Sequence, residues 1–185
     1  MVQALRQIIS LDDYDEASLT EALSTFECAH PDMEDSADVM RFLREDAIAM
    51  ERAGLTRTYL LVNDGAWADG RLQIDGYFSL ALKILNFKNN IDGEILYELF
   101  GDRDKHNCPA YLIGQLARSQ SAPQGAGRQF LNTALSYIAN ASDLVGGRIV
   151  YLDSLPERQQ YYQSQGFRFL QNKHKSRLIQ MYRII

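Results

Sequence analysis

Two glycines lie in a polar stretch between an apolar segment and an amphipathic one. Residues 116–131 read LARSQSAPQGAGRQFL. The nearly continuous apolar run Ala110–Arg118 predicts a strand that is buried on both faces. The spacing of apolar residues in Gly127–Ala141 predicts an amphipathic helix. We therefore expect both glycines to lie in a loop that leaves a buried strand and opens a helix.

This loop has the features of an anion-binding site. The first N–H groups of a helix have no intrahelical partner and carry the positive end of its dipole, and glycine lets the backbone approach a phosphate closely. Arg118 and Arg128 flank the loop, and no Asp or Glu occurs between His106 and Ser142. A helix start with small residues for tight packing is the alternative. Because a third glycine and a Gly-Lys-Ser/Thr run are missing, the loop is neither a dinucleotide fingerprint nor a Walker loop.

The loop resembles motif A of the GNAT acetyltransferases, Gln/Arg-x-x-Gly-x-Gly/Ala, in which loop amides hold the pyrophosphate of CoA. Gln124 and Gly127 match its first and fourth positions, whereas Gln129 replaces the small residue usual at the sixth. The resemblance implies that acetyl-CoA is the cosubstrate and that the backbone of the preceding strand pairs with its pantetheine arm. The cofactor-binding residues that it implies are Leu116, Ala117, Arg118, Gln124, Gly125, Ala126, Gly127, Arg128 and Gln129.

A second segment, YYQSQGF at residues 161–167, is similar to motif B of the same family. In that motif an aromatic residue and a tyrosine lie one helical turn before Gly-Phe. The resemblance implies that Tyr162 is the catalytic acid for the departing CoA thiolate, and a phenol with a pKa of ~10 keeps its proton at neutral pH. The alternative is a helix tyrosine that packs against the sheet. Tyr161 is expected to be a core residue.

The sequence designates no general base and no metal site. The strand Ala110–Arg118 contains no carboxylate, so Asp75, Asp153 and water stay open as proton acceptors. His106 and Cys108 are close in sequence, but no second pair of ligands accompanies them. We therefore predict no metal site.

The order of the predicted elements places these segments in an α/β protein. The periodicities predict strand Arg6–Leu11, helix Ala17–Ala29 with Ser18 and Glu21 as its capping box, helix 36–55, a hairpin of Thr56–Val62 and Leu72–Ile84 after the turn Asn63–Gly65, helix Glu94–Phe100, the strand–loop–helix unit above, strand Arg148–Leu152, helix Glu157–Gln165, and strands Phe167–Leu170 and Arg177–Ile185. The GNAT resemblance implies a mixed central sheet of six to seven strands with a parallel, splayed strand pair, flanked by about four helices.

The bulk composition is that of an ordinary globular protein. Of 185 residues, 46% are hydrophobic and 23% are charged, so residues 1–185 are predicted to form a single GNAT domain, with residues 85–107 as an insertion loop. Two cysteines build no disulfide framework, which favours a reducing cytoplasm. Because no apolar run has the length of a signal peptide or membrane span, we expect a cytoplasmic protein without membrane contact.

Charge is divided unequally along the chain. Residues 1–105 contain 21 Asp and Glu against 10 Lys and Arg, and residues 106–185 contain 3 against 9. The first part therefore has a net charge of −11 and the second of +6. This division favours an anionic ligand for the second part and a neutral or cationic one for the first, although interleaving of both charges on one surface is an equal alternative.

Three functions fit these features. The first is an N-acetyltransferase that acts on a primary amine of a small molecule, peptide or protein. The second follows from the segments around Phe42, Tyr59 and Tyr77, which are similar to the acetyltransferase toxins of bacterial toxin–antitoxin pairs; those acetylate the amino acid on charged tRNA. A net charge of −5 disfavours nucleic acid, but the +6 of residues 106–185 leaves tRNA open. The third is a non-catalytic module that binds acyl-CoA or a partner. A homodimer and a cognate antitoxin stay open.

Overall fold

The computed structural model describes residues 1–9, 15–30, 35–88 and 91–185. Its strands are β1 (Val2–Ala4), β2 (Arg57–Val62), β3 (Ile74–Asn86), β4 (Asn107–Arg118), β5 (Ile149–Ser154), β6 (Arg168–Asn172) and β7 (Ile179–Ile184). Its α-helices are α1 (Leu5–Ile9), α2 (Glu16–Ser24), α3 (Ser36–Arg41), α4 (Ala47–Arg52), α5 (Asp64–Ala68), α6 (Gly93–Phe100), α7 (Ala126–Val145) and α8 (Gln159–Ser164). A π-helical turn, Phe42–Asp46, joins α3 to α4, and a 3-10 turn, Pro156–Arg158, precedes α8.

The seven strands form a mixed sheet in the order β1-β2-β3-β4-β5-β7-β6. β2 and β3 are the predicted antiparallel hairpin strands. β4 and β5 are parallel, with Tyr111 opposite Val150 and Leu112 opposite Tyr151. β7 is antiparallel to both β5 and β6. The predicted mixed sheet with one parallel pair is confirmed, while the splaying of that pair beyond Leu112 stays a prediction.

The described residues group into two compact units. Unit 1 consists of Met1–Ala81 and Gln115–Leu135, and unit 2 of Leu82–Gly114 and Ser136–Ile185. β3, β4 and α7 therefore contribute residues to both units. The prediction of a single domain, with residues 85–107 inserted, stays a prediction.

The core of unit 1 is built around Tyr77 of β3, which is fully buried. Its ring stacks on Phe42 at 6.3 Å between centroids and meets the edge of Phe26 at 5.6 Å. The Tyr77 hydroxyl donates to the Val39 carbonyl at 2.6 Å, so the polar end of this buried side chain is satisfied. Burial raises the pKa of Tyr77 well above its usual value of 10.0. These contacts tie α3 and the segment after α2 to the sheet.

The core of unit 2 lies among the last part of β3, the strands β4 to β7 and α6. Its fully or nearly fully buried apolar side chains are Leu85, Leu99, Cys108, Ala110, Ile149, Leu170 and Tyr182. α6 falls where Glu94–Phe100 was predicted, and it ends at Gly101, whose φ of 69° is left-handed. A glycine is the residue that adopts this C-terminal conformation without strain.

Two five-residue helices replace other predicted conformations. α1 lies where the strand Arg6–Leu11 was predicted, because Leu5 and Ile8 bury side chains three residues apart, a helical spacing; the predicted residues 10 and 11 lie outside the described ranges. α5 follows directly on β2, where a turn at Asn63–Gly65 was predicted. The Asn63 side chain accepts a hydrogen bond from the Ala66 N–H at 3.1 Å, so it acts as a helix N-cap.

α2 begins and ends earlier than predicted. Its N-cap is Asp15, whose carboxylate accepts from the Ser18 N–H at 2.8 Å, so the predicted capping box with Ser18 as N-cap is wrong. The helix ends at Ser24 rather than Ala29. Residues after it instead form an antiparallel bridge in which Cys28 pairs with Ser119.

None of the helices within the described ranges is long and apolar enough to cross a membrane.

Candidate active site

The end of β4, in unit 1, is held on both sides by backbone hydrogen bonds. The Ala29 N–H donates to the Arg118 carbonyl at 2.9 Å, and the Ser119 N–H donates to the Asp75 carbonyl at 2.8 Å. Ala117 is buried, whereas Leu116 and Arg118 are half-buried. Of the backbone groups predicted to pair with pantetheine, the Arg118 carbonyl therefore already has a partner within the protein.

Gly76 of β3 allows α7 to approach this strand end closely. A Cβ added at Gly76 would lie 2.6 Å from the Ala117 carbonyl oxygen and would overlap the ring of Phe130. Phe130 is in the first half of α7 and is fully buried. Because position 76 has no side chain, the first half of α7 can pack directly against β3 and β4.

The loop between β4 and α7 contains one of the two glycines of this segment, and the other, Gly127, lies in the first turn of α7. Gly125 has a φ of 85°, a left-handed conformation that favours glycine. α7 begins at Ala126, one residue before the predicted start at Gly127. The Ala126 N–H is bonded to the Pro123 carbonyl and the Arg128 N–H to the Gly125 carbonyl. The N–H of Gly127, by contrast, has no hydrogen-bond partner in the described part of the chain.

Arg118 and Arg128 flank this loop in the chain. Arg118 is half-buried, and within the described ranges its side chain donates only to the adjacent Ser119 carbonyl, at 3.4 Å. Arg128 is exposed on the first turn of α7. Neither forms an ion pair with a carboxylate among the described residues, in contrast to Arg52, which pairs with Glu16. Gln124 and Gln129 are exposed on the same loop and first turn. This arrangement can hold an anion.

Asp75 anchors the first residues of the loop. Its side chain is almost fully buried. One carboxylate oxygen accepts from the Ser121 hydroxyl at 3.2 Å and the other from the Asn63 amide at 3.3 Å. The Ser121 and Ser119 hydroxyls lie 2.9 Å apart. Both carboxylate oxygens are thus engaged by side chains of unit 1. Of this network, only Asp75 was a candidate residue in the sequence analysis.

A cavity of about 340 Å³ lies next to this network, within unit 1. Its walls come from α2 and the segment after it, the start of β3 and the segment before it, and the loop after β4. They include Phe26, Glu27, Gln73, Ile74, Ser119 and Ser121. The sequence carried no signal for it, because its walls are distant in the chain and only the fold brings them together.

Tyr162 lies in unit 2, on α8, and is buried. Its ring meets Tyr161 edge-on at 5.1 Å and Phe167 at 5.9 Å between centroids. Its backbone carbonyl accepts from the N–H groups of Gln165 and Phe167, which closes the helix before Gly166. Tyr161 is 38% exposed and is not the core residue that was expected.

Asp153, the other candidate base, has two partners in unit 2. One of its oxygens accepts from Lys173 at 2.6 Å and the other from the Gln180 amide at 3.1 Å. Burial, and secondarily the charge of Asp153, raises the pKa of Tyr151 to about 12. Asp153 therefore joins β5 to β7 and to the turn between β6 and β7 through its side chain.

The remaining titratable residues of the sequence analysis form no cluster. Burial raises the pKa of the Cys108 thiol to about 11, so at neutral pH it is a thiol and not a thiolate. His106 is exposed. In the described ranges no three His, Cys, Asp or Glu side chains are arranged to hold a metal ion.

Solved structures of bacterial toxins share this fold. AtaT complexed with acetyl-methionyl-tRNAfMet is 20% identical, and the alignment covers 97% of this chain and 92% of that one with a TM-score of 0.69. A tyrosine-to-phenylalanine mutant of KacT is 18% identical over 97% of this chain and 92% of its own, also at 0.69. AtaTR bound with acetyl-CoA is 22% identical over 97% and 90%, at 0.64. No protein-family model matches the sequence, and no curated protein does.

Identities of this order establish the fold. AtaT and KacT are GNAT-fold acetyltransferase toxins, so the chain has the GNAT fold, as its two motifs predicted. The similarity to the acetyltransferase toxins of toxin–antitoxin pairs is likewise confirmed at the level of structure.

Proposed function

We propose that the protein is an acetyltransferase that transfers the acetyl group of acetyl-CoA to the amino group of an aminoacyl-tRNA. The observation that carries the proposal is the start of α7 in a GNAT fold. There the left-handed Gly125 precedes the open N–H of Gly127, and the guanidinium groups of Arg118 and Arg128 have no carboxylate partners among the residues that the structure describes. A helix N-terminus flanked by free guanidinium groups suits a pyrophosphate.

The residues of unit 1 fit this ligand. Acetyl-CoA supplies an activated thioester when it is bound. Gly125, Ala126 and Gly127 would present backbone to its pyrophosphate, with Arg128 as the charged partner, and the neutral Gln124 and Gln129 would lie beside it. The strand segment Leu116–Arg118 would pair with the pantetheine arm through those backbone groups that have no partner in the described part of the chain.

The chemistry needs a donor for the developing oxyanion and an acid for the thiolate. A backbone N–H of Leu116 or Ala117 is the proposed oxyanion donor. Tyr162 is the proposed acid. In the overall reaction the acceptor ammonium releases one proton to water, a C–N bond forms, the C–S bond breaks, and the second nitrogen proton ends on the CoA thiol. Water is the proposed acceptor of the first proton, because Asp153 and Asp75 are both engaged by side chains.

The choice of tRNA rests on the structural neighbours and on charge. AtaT is solved with acetyl-methionyl-tRNAfMet. The +6 of residues 106–185 supplies cations for a phosphate backbone. Several of those cations are ion-paired, as Arg168 is with Glu98, so we expect tRNA affinity to be moderate.

A second candidate acceptor is the amine of a small molecule or peptide. The observation that favours it is the −11 net charge of residues 1–105, which attracts a cationic acceptor. The cavity in unit 1 adds an exposed carboxylate, Glu27, which has no ion-pair partner in the described ranges. Cytoplasmic location, a homodimer and an antitoxin partner are further proposals that accompany both candidates.

The test is an acetyl-transfer assay with radiolabelled acetyl-CoA. One arm uses total tRNA charged with all amino acids, a matched arm uses the same tRNA after mild alkaline deacylation, and a third uses a mixture of polyamines and amino-acid amides. We expect label in acid-precipitable material with the charged tRNA only. Label in the third arm alone would show that the acceptor is a free amine and not an aminoacyl-tRNA. No transfer in any arm would contradict the proposed function.

A further inference from the structure

Residues 26–29, which we call the strap, pair with the end of β4 in unit 1. The Ala29 N–H donates to the Arg118 carbonyl at 2.9 Å, and Cys28 forms an antiparallel bridge with Ser119. Buried and exposed side chains alternate from residue 26 to residue 28, as they do in an extended chain. Within the described residues the strap is therefore a short extra strand that is joined to β4 by one isolated bridge.

The strap lies on the edge of β4 that faces away from β3. On the other edge, the Ser119 N–H donates to the carbonyl of Asp75 in β3 at 2.8 Å. Successive residues of a strand direct their backbone groups to opposite edges, so the N–H and C=O groups of Arg118, and likewise those of Leu116, point away from β3. Because β3 occupies its own edge, an extended ligand can pair with β4 only along the edge where the strap lies.

We propose that the strap is an autoinhibitory segment, which must leave β4 before acetyl-CoA can pair with the full length of this edge. The inference rests on the proposed function, because it concerns how the same cofactor reaches its site. A strand edge pairs with one extended partner at a time. The pantetheine arm and the strap therefore compete for the backbone of Arg118, whose carbonyl is bonded to Ala29 in this structure.

The strap is fixed at both of its ends, so its middle can leave β4 while the ends stay in place. The Phe26 carbonyl accepts from the Arg44 side chain at 2.7 Å, and the Phe26 ring meets the edge of Tyr77 at 5.6 Å between centroids. The carbonyl of His30, the residue after the strap, accepts from the Ser36 hydroxyl at 2.6 Å. Neither hydrogen bond involves β4. Opening of the strap therefore breaks the bridge to β4 and keeps both end contacts.

The bridge can be closed covalently by one substitution. The bond from Ala29 to Arg118 joins the residues that flank Cys28 and Ser119, so the latter two form the closely spaced type of antiparallel pair, with Cα atoms about 4.5 Å apart. A disulfide spans Cα atoms about 4.4 to 6.8 Å apart. Ser119→Cys should therefore form a disulfide with Cys28 on mild oxidation, which peptide mass spectrometry verifies.

Calorimetry then measures the acetyl-CoA Kd of the oxidised and the reduced Ser119→Cys protein. We expect the oxidised form to bind at least about tenfold more weakly, because apparent affinity falls with the fraction of open molecules, and dithiothreitol should restore the affinity. The matched control combines Cys28→Ser with Ser119→Cys, which keeps the change at position 119 but cannot form the disulfide. Its Kd, like that of the wild type, should not respond to oxidation.

The strap can also be tested without a cross-link. Ala29→Pro removes the N–H that bonds to Arg118, so the acetyl-CoA Kd should fall about two- to tenfold, the range for one net hydrogen bond. In the wild type, saturating acetyl-CoA should speed hydrogen exchange of the Ala29 amide. The Val39 amide, which is bonded to the Asp35 carbonyl at the start of α3, should keep its rate and is the control.

The outcomes separate this inference from the proposed function. Equal acetyl-CoA Kd values for oxidised and reduced Ser119→Cys protein, or an Ala29 amide whose exchange acetyl-CoA does not speed, would overturn the strap as an inhibitory segment and leave the proposed function standing. Failure of the disulfide to form would contradict the bridge on which the inference depends. If the reduced wild type binds no acetyl-CoA, the proposed function fails and this inference fails with it.

Discussion

The buried phenol of Tyr162 carries the proposed acid chemistry, and its immediate neighbours are aromatic. Contacts with the rings of Tyr161 and Phe167 hold its ring in place on α8. Its neighbour Tyr161 is part exposed on the same helix. These two adjacent tyrosines differ in surroundings but not in chemistry, so they make a matched pair for testing the acid.

Tyr162→Phe should lower kcat for acetyl transfer by roughly 10²–10³-fold, the range for loss of a general acid. It should leave the acetyl-CoA Kd within about twofold of the wild-type value, because no phenol is proposed to bind the pyrophosphate. Tyr161→Phe should keep the wild-type kcat. Steady-state kinetics and calorimetry on the three proteins measure both quantities. Equal kcat values for Tyr162→Phe and the wild type would remove Tyr162 from the mechanism.

The Cys108 thiol should react slowly in the native protein. Its pKa is raised to about 11 by burial, so the thiolate fraction at pH 8 is lower than for an ordinary thiol by roughly a hundredfold or more. Iodoacetamide labelling followed by peptide mass spectrometry should show little modification of Cys108 over a time in which the guanidinium-unfolded protein is fully alkylated. Equal rates in both states would contradict this description of the site.

Local chemistry in the sequence indicated the loop residues but not the network behind them. The glycines, Arg118 and Arg128 lie in one continuous segment. An anion-binding loop could be predicted from them because a strand precedes and a helix follows that segment. The bond between Ser121 and Asp75, by contrast, joins residues 46 positions apart. Nothing in either segment specifies the other, because that contact depends on the pairing of β3 with β4.

At the scale of elements, length separates what could be predicted from what could not. α7 has 20 residues and a regular apolar face, so its periodicity identified it. The strands of the hairpin were identified by their β-branched and aromatic residues. α1 and α5 have five residues each. Helices this short are not stable alone and form here because β1, β2 and the cap at Asn63 hold their ends. The π turn Phe42–Asp46 lies inside a segment that was predicted as one continuous helix, because its apolar residues keep the spacing of an α-helix.

Gly76→Ala should destabilise the protein. The new Cβ would meet the Ala117 carbonyl and the Phe130 ring, and neither strand nor helix can move without disturbing buried packing, so we expect a loss of about 1–3 kcal/mol in the free energy of unfolding. Chemical denaturation measures it. Gly65→Ala, where a Cβ would touch only the Asn63 side chain at 3.4 Å, is the control. A Gly76→Ala protein as stable as the wild type would show that α7 lies farther from β3.

The loop conformation can be tested with two glycines of the same backbone geometry. Gly125 and Gly54 both have left-handed φ, 85° and 71°, and a Cβ at either would meet nothing within 4 Å. Alanine should therefore cost each about 1 kcal/mol of stability through backbone strain. Only Gly125→Ala should weaken acetyl-CoA binding, which calorimetry measures. Equal acetyl-CoA affinities for the two variants would show that the loop at Gly125 does not bind the cofactor.

At the scale of the whole molecule, the division of charge between residues 1–105 and 106–185 bears on the acceptor. Arg41, Arg52 and Arg71 of the first part are each within ion-pair distance of a nearby carboxylate. Arg118 and Arg128 of the second part are not, within the described ranges. A chain with a net charge of −5 can therefore still offer cations to an anionic ligand.

If tRNA is the acceptor, its binding should depend on salt. Release of counterions makes affinity for a polyanion fall as salt rises, so the Kd for charged tRNA should increase at least about tenfold between 50 and 200 mM NaCl. Filter binding at several salt concentrations measures the slope, with the amino-acid amide KM at the same concentrations as control. A tRNA Kd that does not respond to salt would argue against phosphate contacts.

The most direct test of the central claim is calorimetric titration of acetyl-CoA into the wild type, Arg128→Ala and Arg41→Ala. Arg41 is a matched control because it is exposed and paired with Asp38 and Asp46, outside the loop. We expect micromolar binding to the wild type, a binding free energy of about −8 kcal/mol. Arg128→Ala should weaken it about tenfold or more, as for a lost charge-assisted contact, and Arg41→Ala should leave it unchanged. No binding to the wild type, or equal affinity in all three proteins, would contradict the assignment of residues 124–129 as the site for acetyl-CoA.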